Sequence, residues 1–282
     1  MLNVNELTSL AEELSKASKK GMKIGLVPTM GALHDGHMEL IKQARIHAEY
    51  VIVSIFINPL QFNQADDFIN YPSNLLKDSD KLKNAGVDLL FNPDLKLIYP
   101  KKPAVKIDFG NISRNLEGAF RLNHFEGVGL IVMKLFNLIK PDVAFFGLKD
   151  LQQYVLIKNL IKEFSYPIKL YGVPTVREEN GLALSSRNVH LSPSGLNIAS
   201  QIYKGLVWAK KNFKTFNTSE ALIIQLKKFY HPQDGLTIEY CEILNSNTFK
   251  PVKSLQSGGK ITLFIAAYVE SVRLIDNISL QE

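Results

Sequence analysis

The sequence predicts an α/β chain, a mostly parallel sheet flanked by helices, followed by a smaller α+β part with an antiparallel sheet. Three observations carry this expectation. Short apolar, β-branched runs alternate with helix-period stretches as far as Pro174, the pattern of right-handed strand–helix–strand crossovers. Beyond that point two helical stretches precede three strand-like stretches with short connections, the pattern of an antiparallel sheet. A length of 282 residues suits one larger and one smaller domain. The expectation is therefore a Rossmann-like domain over 1–174, a hinge over 175–184 and a C-terminal α+β lid domain over 185–282.

Each element has its own signal. Leu2, Leu7, Leu10 and Leu14 are spaced as one face of a helix. Lys23 to Val27 is a short apolar run that predicts a buried strand ending at Pro28. Gly36 to Ala48 reads as a helix, and Val51 to Ile57 as a β-branched strand. Leu75 to Ala85 has helical period, and Val87 to Phe91 is another short strand. Gly127 to Ile139 is apolar almost all round, so a deeply buried helix is expected there, stopped by Pro141. Val143 to Phe146 and Ile168 to Val173 read as strands either side of a helix from Leu151 to Phe164. In the last part Ser192 to Phe213 and Thr218 to Tyr230 are helical. Thr237 to Leu244, Ile261 to Val269 and Val272 to Ile275 read as strands.

Composition narrows the function classes. Hydrophobic residues make up 46% of the chain and charged residues 21%, which fits a soluble globular protein. The net charge of +6 is spread among acids, so it suits small anions better than nucleic acid. The basic helix end at Trp208, Lys210, Lys211 and Lys214 reads as a solvated face. The single cysteine, Cys241, excludes an intramolecular disulfide and fits a reducing, cytoplasmic setting. Its apolar surroundings favour a small buried hydrophobe over a nucleophile. No leader-like segment opens the chain, and no apolar run approaches the about 20 residues needed to cross a bilayer.

Four stretches carry chemistry. PTMGALHDGH, Pro28 to His37, follows a strand and opens a helix, where exposed N–H groups and the helix dipole attract phosphate. Gly31 and Gly36 permit close approach of backbone to ligand. His34 and His37 can both face one bound group and donate hydrogen bonds to it; the plainer alternative is two histidines that cap the helix. LALSSRN, Leu182 to Asn188, offers two hydroxyls and a guanidinium in a loop, or simply a polar hinge. FFGLKDLQQ, Phe145 to Gln153, leaves the carboxyl end of a strand, where open α/β sheets bind ligands. Lys149 can reach a phosphate there, and Asp150 can cap the helix. VSIFINPLQF, Val53 to Phe62, offers the amides of Asn58 and Gln61, which either read a substrate or support the loop.

Taken together, these motifs resemble the nucleotidyltransferase-like adenylating enzymes, and the full set looks like the pantothenate synthetase (pantoate–β-alanine ligase) family. AAYVESVRLIDN, Ala266 to Asn277, is similar to that family's C-terminal strand region. The resemblance runs from about residue 20 to 277. It implies a two-step reaction: pantoate attacks ATP to form an enzyme-bound pantoyl adenylate, and β-alanine then displaces AMP. It implies that His34, His37, Lys149 and Arg187 serve catalysis. ATP contacts are implied for Pro28, Met30, Gly31, Ala32, Leu33, Asp35 and Gly36. A second ATP-contacting segment is implied at Gly147, Leu148, Lys149 and Asp150. Val176 is implied at the adenine, and Leu184, Ser185, Ser186 and Arg187 in a mobile phosphate-binding loop. Gln61, Gln153, Asn58 and Tyr71 are the implied pantoate and β-alanine contacts, and Asp78 an acid near Mg2+. A homodimer and closure of the smaller domain over the adenylate are also implied, with no nucleic acid or membrane partner.

The chain departs from the family pattern at three places. Leu148 stands where the family has glutamate, Glu126 reverses a charge in RLNHFEGV, and Lys77 replaces an acid found in some members. A cytidylyl- or adenylyltransferase sharing His-x-Gly-His, a nucleotide sensor and a tRNA-acylating enzyme are the competing readings. The first would retain the nucleotide in its product, the second would make no pyrophosphate, and the third would need an RNA-binding face.

Overall fold

The computed structural model describes residues 1–231, 235–256 and 259–281. In chain order the elements are β1 (Leu2–Val4), α1 (Leu7–Lys19), β2 (Ile24–Thr29), α2 (Asp35–His47), β3 (Tyr50–Ile55), α3 (Ala65–Ile69) and α4 (Leu75–Asn84). Then come β4 (Leu89–Phe91), α5 (Leu95–Ile98), α6 (Glu117–Phe120), α7 (His124–Ile139), β5 (Val143–Gly147), α8 (Leu151–Glu163) and β6 (Lys169–Val173). The last are α9 (Pro193–Asn212), α10 (Ser219–Tyr230), β7 (Leu236–Asn245), β8 (Ile261–Val269) and β9 (Val272–Gln281).

The chain divides into two compact units. The first comprises 1–109, 121–148 and 153–174; the second comprises 110–120, 149–152 and 175–282. The step at 174/175 coincides with the change of pattern in the sequence. Residues 175–184, expected as a hinge, group with the second unit, as do two short excursions from the earlier part of the chain.

The first unit holds a six-stranded sheet in the order β1-β4-β3-β2-β5-β6, all parallel. Its central strands are apolar on both faces. Val27, Val51, Val53 and Leu90 join α2 residues Leu40, Ile41 and Ala44 in one core, while the alternate residues Leu26, Ile52 and Leu89 are also fully buried. Burying each such side chain contributes about 1.5–3 kcal/mol. The apolar-all-round helix is α7, and ten of its sixteen residues are buried, as its composition requires. The chain leaves β2 toward β3 on one side and returns to β5 on the other. This strand-order reversal, characteristic of a Rossmann-like sheet, places the carboxyl ends of β2 and β5 at the topological switch point.

The second unit holds the antiparallel sheet β7-β8-β9. One core gathers Ala199, Ile202 and Leu206 of α9, Leu222 and Leu226 of α10, and Leu263, Ile265 and Leu274 of the sheet. Trp208 packs against this core and stacks on Phe229 at 6.0 Å, so its aromatic body serves packing.

Three expectations are corrected. Leu2 belongs to a strand, because Leu2–Val4 pairs in parallel with β4; only Leu7 onward is helical. β2 runs through Pro28 to Thr29, since its pairing with β5 ends at Leu26 and Pro28 needs to satisfy only the β3 side. β9 extends six residues beyond Ile275. Asp276 and Asn277 look like turn residues, yet the ladder with β8 continues through Asp276↔Ile265 and Asn277↔Phe264.

Candidate active site

The first unit collects one set of predicted residues around the exit of β2. Gly31 has φ of +84° and Ala32 φ of +49°, so the chain turns sharply between strand and helix. The buried Asp78 of α4 holds that turn. Its Oδ2 accepts the Ala32 N–H and its Oδ1 accepts the Leu33 N–H, each at 2.8 Å. Lys81, one turn further along α4, donates to the Leu33 carbonyl.

The two histidines then start α2 and are shaped by it. The Gly36 N–H donates to His34 Nδ1 at 3.1 Å, and the His34 N–H donates to His37 Nδ1 at 3.3 Å. A ring nitrogen that accepts from a backbone N–H carries no proton, so in each neutral imidazole the proton sits on Nε2. The rings lie 4.1 Å apart, tilted by 45°. The capping reading of the motif is what this geometry shows.

The amide cluster lies in the same unit. Asn58 is buried and donates to Gln61 Oε1 at 3.1 Å and to the Gly127 carbonyl at 3.0 Å, and it accepts from the Tyr99 hydroxyl at 3.1 Å. Gln61 Nε2 approaches Met30 Sδ at 3.1 Å, which joins this cluster to the β2 exit. Tyr71 is buried with its ring edge-on to Phe62 at 5.7 Å. The Gln61 carbonyl is in turn held by His124 Nδ1 at 2.8 Å and by Arg121 at 3.3 Å. A Cβ on Gly127 would lie 2.3 Å from the Leu60 carbonyl oxygen, so only glycine lets α7 approach that turn. The sequence reading missed Arg121 and His124 as supports of Gln61. Their signal was the RLNHFEGV stretch, noted there only for its departures.

At the end of β5, Leu148 packs over Gly172, where an added Cβ would meet its Cδ2 at 2.6 Å. An apolar side chain fills that contact. Gln153 lies in the first turn of α8 and is half-buried.

The second unit collects the rest. Lys149 and Asp150 form an ion pair at 3.7 Å in a short 3-10 turn ahead of α8. Val176 and Leu184 face each other across a hairpin: the Leu184 N–H donates to the Val176 carbonyl at 3.0 Å, and Arg177 pairs with Ala183. Ser185 follows directly and accepts the Arg187 N–H at 3.3 Å, so Ser185 to Arg187 form a capped turn. Lys149, Ser185, Tyr203 and Asp276 line one small cavity of this unit.

Other chemistry finds less support. Cys241 is buried in β7, and burial pushes its thiol up to about 12, which suits a packing residue. Among the described residues no group of three His, Cys, Asp or Glu side chains is placed to hold a metal ion. Asp78, the acid expected near Mg2+, already spends an acceptor from each oxygen on the loop backbone. The donor set thus suits a cation that brings its own phosphate ligands better than one caged by protein. Among the described residues no helix is long and apolar enough to cross a membrane.

The comparisons with known proteins agree on one family. The family model for pantoate-beta-alanine ligase matches residues 2–279. The chain belongs to the pantoate–beta-alanine ligase family. It is 42% identical to the pantothenate synthetase of Cytophaga hutchinsonii over 279 residues, 99% of each chain. It is 40% identical to that of Aquifex aeolicus over 281 residues, 98% of each chain. The crystal structure of the Thermus thermophilus pantothenate synthetase superposes with a TM-score of 0.92 at 35% identity over all of both chains. The pantoate-beta-alanine ligase of Francisella tularensis, solved in complex with beta-gamma ATP and beta-alanine, superposes with a TM-score of 0.80 at 36% identity over 99% and 98%. As a member of the family the chain is an enzyme, an ATP-dependent carbon–nitrogen ligase.

Proposed function

We propose that the chain condenses pantoate with β-alanine in two steps, and that the start of α2 is the centre of the first. A pantoate carboxylate oxygen bonds to the α-phosphorus of ATP as the bond to the bridging oxygen breaks, releasing pyrophosphate and leaving pantoyl adenylate. The β-alanine amine then bonds to the acyl carbon, the bond to AMP breaks, and the amine gives up a proton as pantothenate forms. No enzyme nucleophile is required, since the substrate carboxylate serves. What the chain must supply is hydrogen-bond donors and positive charge at the phosphates, with reactants held in line.

The observation that carries this reading is the pair of backbone-to-Nδ1 hydrogen bonds at His34 and His37. They set two Nε2–H donors beside the helix N-terminus at the sheet's switch point, where phosphate is favoured. In this reading Lys149, Ser185, Ser186 and Arg187 contribute further phosphate contacts, and Val176 contacts the adenine. Asn58, Gln61, Tyr71 and Gln153 recognise the two smaller substrates. Gln61 suits that role because its amide is buried and oriented by Asn58 and Met30. Magnesium enters with ATP as part of the substrate complex. Asp78 shapes the loop that receives it. A cytoplasmic homodimer belongs to the same proposal.

The test is an incubation with ATP, Mg2+, pantoate and β-alanine in which each is omitted in turn. Pyrophosphate should appear with pantoate and without β-alanine, in an amount close to that of the enzyme. AMP and pantothenate should accumulate only when all components are present. Pyrophosphate release independent of pantoate, or a nucleotide retained in the product, would overturn the reading.

A further inference from the structure

Strand β9 carries polar residues that its position does not require for a sheet. Arg273, Asp276 and Asn277 sit on a ladder paired continuously with β8, yet each is committed to a chain segment outside the sheet. Two of those segments, reached by Asn277 and Asp276, bear the second unit's phosphate-contacting candidates.

Asn277 Nδ2 donates to the Lys149 carbonyl at 2.8 Å. Arg273, four residues earlier and so on the same strand face, forks onto Glu117 at 2.7 and 2.8 Å and reaches Glu239 at 2.5 Å. Glu117 is buried, and its N–H donates to Gln152 Oε1 at 3.2 Å. Gln152 Nε2 donates to the carbonyls of Ile112 and Asn115 at 2.6 and 2.8 Å. The 149–152 segment is thereby fixed at both ends from one strand face. This explains why four residues in the middle of the chain group with the second unit.

Asp276 lies on the opposite face, buried, and takes Arg177 in a two-point pair at 2.6 and 2.9 Å. Arg177 also donates to the Gly181 carbonyl at 3.1 Å and lies 3.8 Å over the Tyr203 ring. That locks the base of the 176–184 hairpin, from which Ser185 to Arg187 emerge. Beyond that turn, Glu270 at the tip of the β8–β9 hairpin accepts the Ser192 N–H at 3.1 Å. The Ser185–Arg187 turn is therefore anchored before and after itself by one hairpin.

We infer that the Arg273–Asn277 stretch is the positioning element for the adenylation step: Asn277 sets Lys149, and Asp276 sets the segment that carries Ser185 to Arg187. These are positioning residues, since they act through groups that contact substrate. The inference rests on the proposed phosphate role of Lys149.

The experiment compares Asn277→Ala, Asn277→Asp and Lys149→Ala in single-turnover pyrophosphate release, with Tm measured for each. Asn277→Asp keeps side-chain volume but replaces the donor with a charged acceptor that the Lys149 carbonyl oxygen repels. Both Asn277 variants should release pyrophosphate tenfold or more slowly (on the order of a lost, well-aligned donor), with pantoate KM unchanged and the folded fraction intact. In the Lys149→Ala background, Asn277→Ala should add little, because its effect passes through Lys149. A wild-type rate in the Asn277 variants, a loss only in proportion to unfolding, or a fully additive loss on Lys149→Ala would overturn the inference. If Lys149→Ala itself released pyrophosphate at the wild-type rate, the proposed role of Lys149 would fail, and the Asn277 result would be read apart from it.

Discussion

The two regions proposed to contact phosphate are each braced by one buried aspartate, and they are braced differently. In the first unit Asp78 accepts directly from the backbone N–H groups of Ala32 and Leu33. In the second, Asp276 holds the side chain of Arg177, and Arg177 holds the hairpin. The direct brace fixes the loop's own peptide groups next to the histidines. The indirect brace fixes the base of a hairpin, whose continuation, Ser185 to Arg187, includes a short capped turn and is followed by the Asn188–Ala183 contact at 3.1 Å. The first region is thus held at its own peptide groups, and the second through a side chain at the base of its hairpin.

The largest effect expected from this comparison is at the histidines. His37→Ala removes a donor from a fixed frame, and it should slow adenylate formation by about 3 kcal/mol, on the order of a hundredfold or more. Single-turnover pyrophosphate release measures this directly. A near-normal rate in that variant would break the claim that the α2 start serves that step.

Next comes the direct brace. Asp78→Ala leaves two N–H groups of a half-buried loop without their acceptor, at about 1–3 kcal/mol each. Tm should fall clearly and adenylate formation with it. Asp78→Asn, which keeps shape but turns one acceptor into a donor, should show a smaller loss of both. If Asp78→Asn kept its Tm yet needed a markedly higher Mg2+ concentration to reach the wild-type rate, the carboxylate would be a metal ligand after all.

The indirect brace should break more locally. Asp276→Ala strands a guanidinium whose side chain is 17% exposed beside a carboxylate site only 3% exposed, so about 2 kcal/mol is expected, below the cost of a fully buried pair. Limited proteolysis should then cut the 178–184 hairpin faster in this variant, and leave the 28–37 segment as resistant as in the wild type. Faster cleavage at both places would erase the distinction between the two braces.

How much of this was readable in advance follows the same division. The α/β alternation, the His-x-Gly-His junction and the buried α7 were legible, because each is written in consecutive residues through period, punctuation or local capping. The braces were not. Asp78 is 45 residues from Leu33, Asn277 is 128 from Lys149, and Arg273 is 156 from Glu117. Nothing local marks an aspartate on a strand as the partner of a distant arginine. Polar residues such as Asp276 and Asn277 inside a strand make sense only once their distant partners are known.

The smallest predicted effect tests the far anchor of the second region. Glu270 accepts from the Ser192 hydroxyl and N–H, and these donors hold its carboxyl below the ordinary value of 4.5. A carboxylate depressed in the folded state stabilises it above the unfolded pKa, and that contribution disappears as pH falls through the folded one. Glu270→Gln should therefore lower Tm slightly at pH 7, and the gap from wild type should close as pH drops below about 4.5. Because the side chain is solvent-exposed, salt and water screen the interaction and the gap should stay small. A gap that persisted unchanged into acid would mean that Ser192 relies on the shape of Glu270 and not on its charge. The Ser185–Arg187 turn would then be tied to the β8–β9 hairpin by packing at its far end, and by charge only at Asp276.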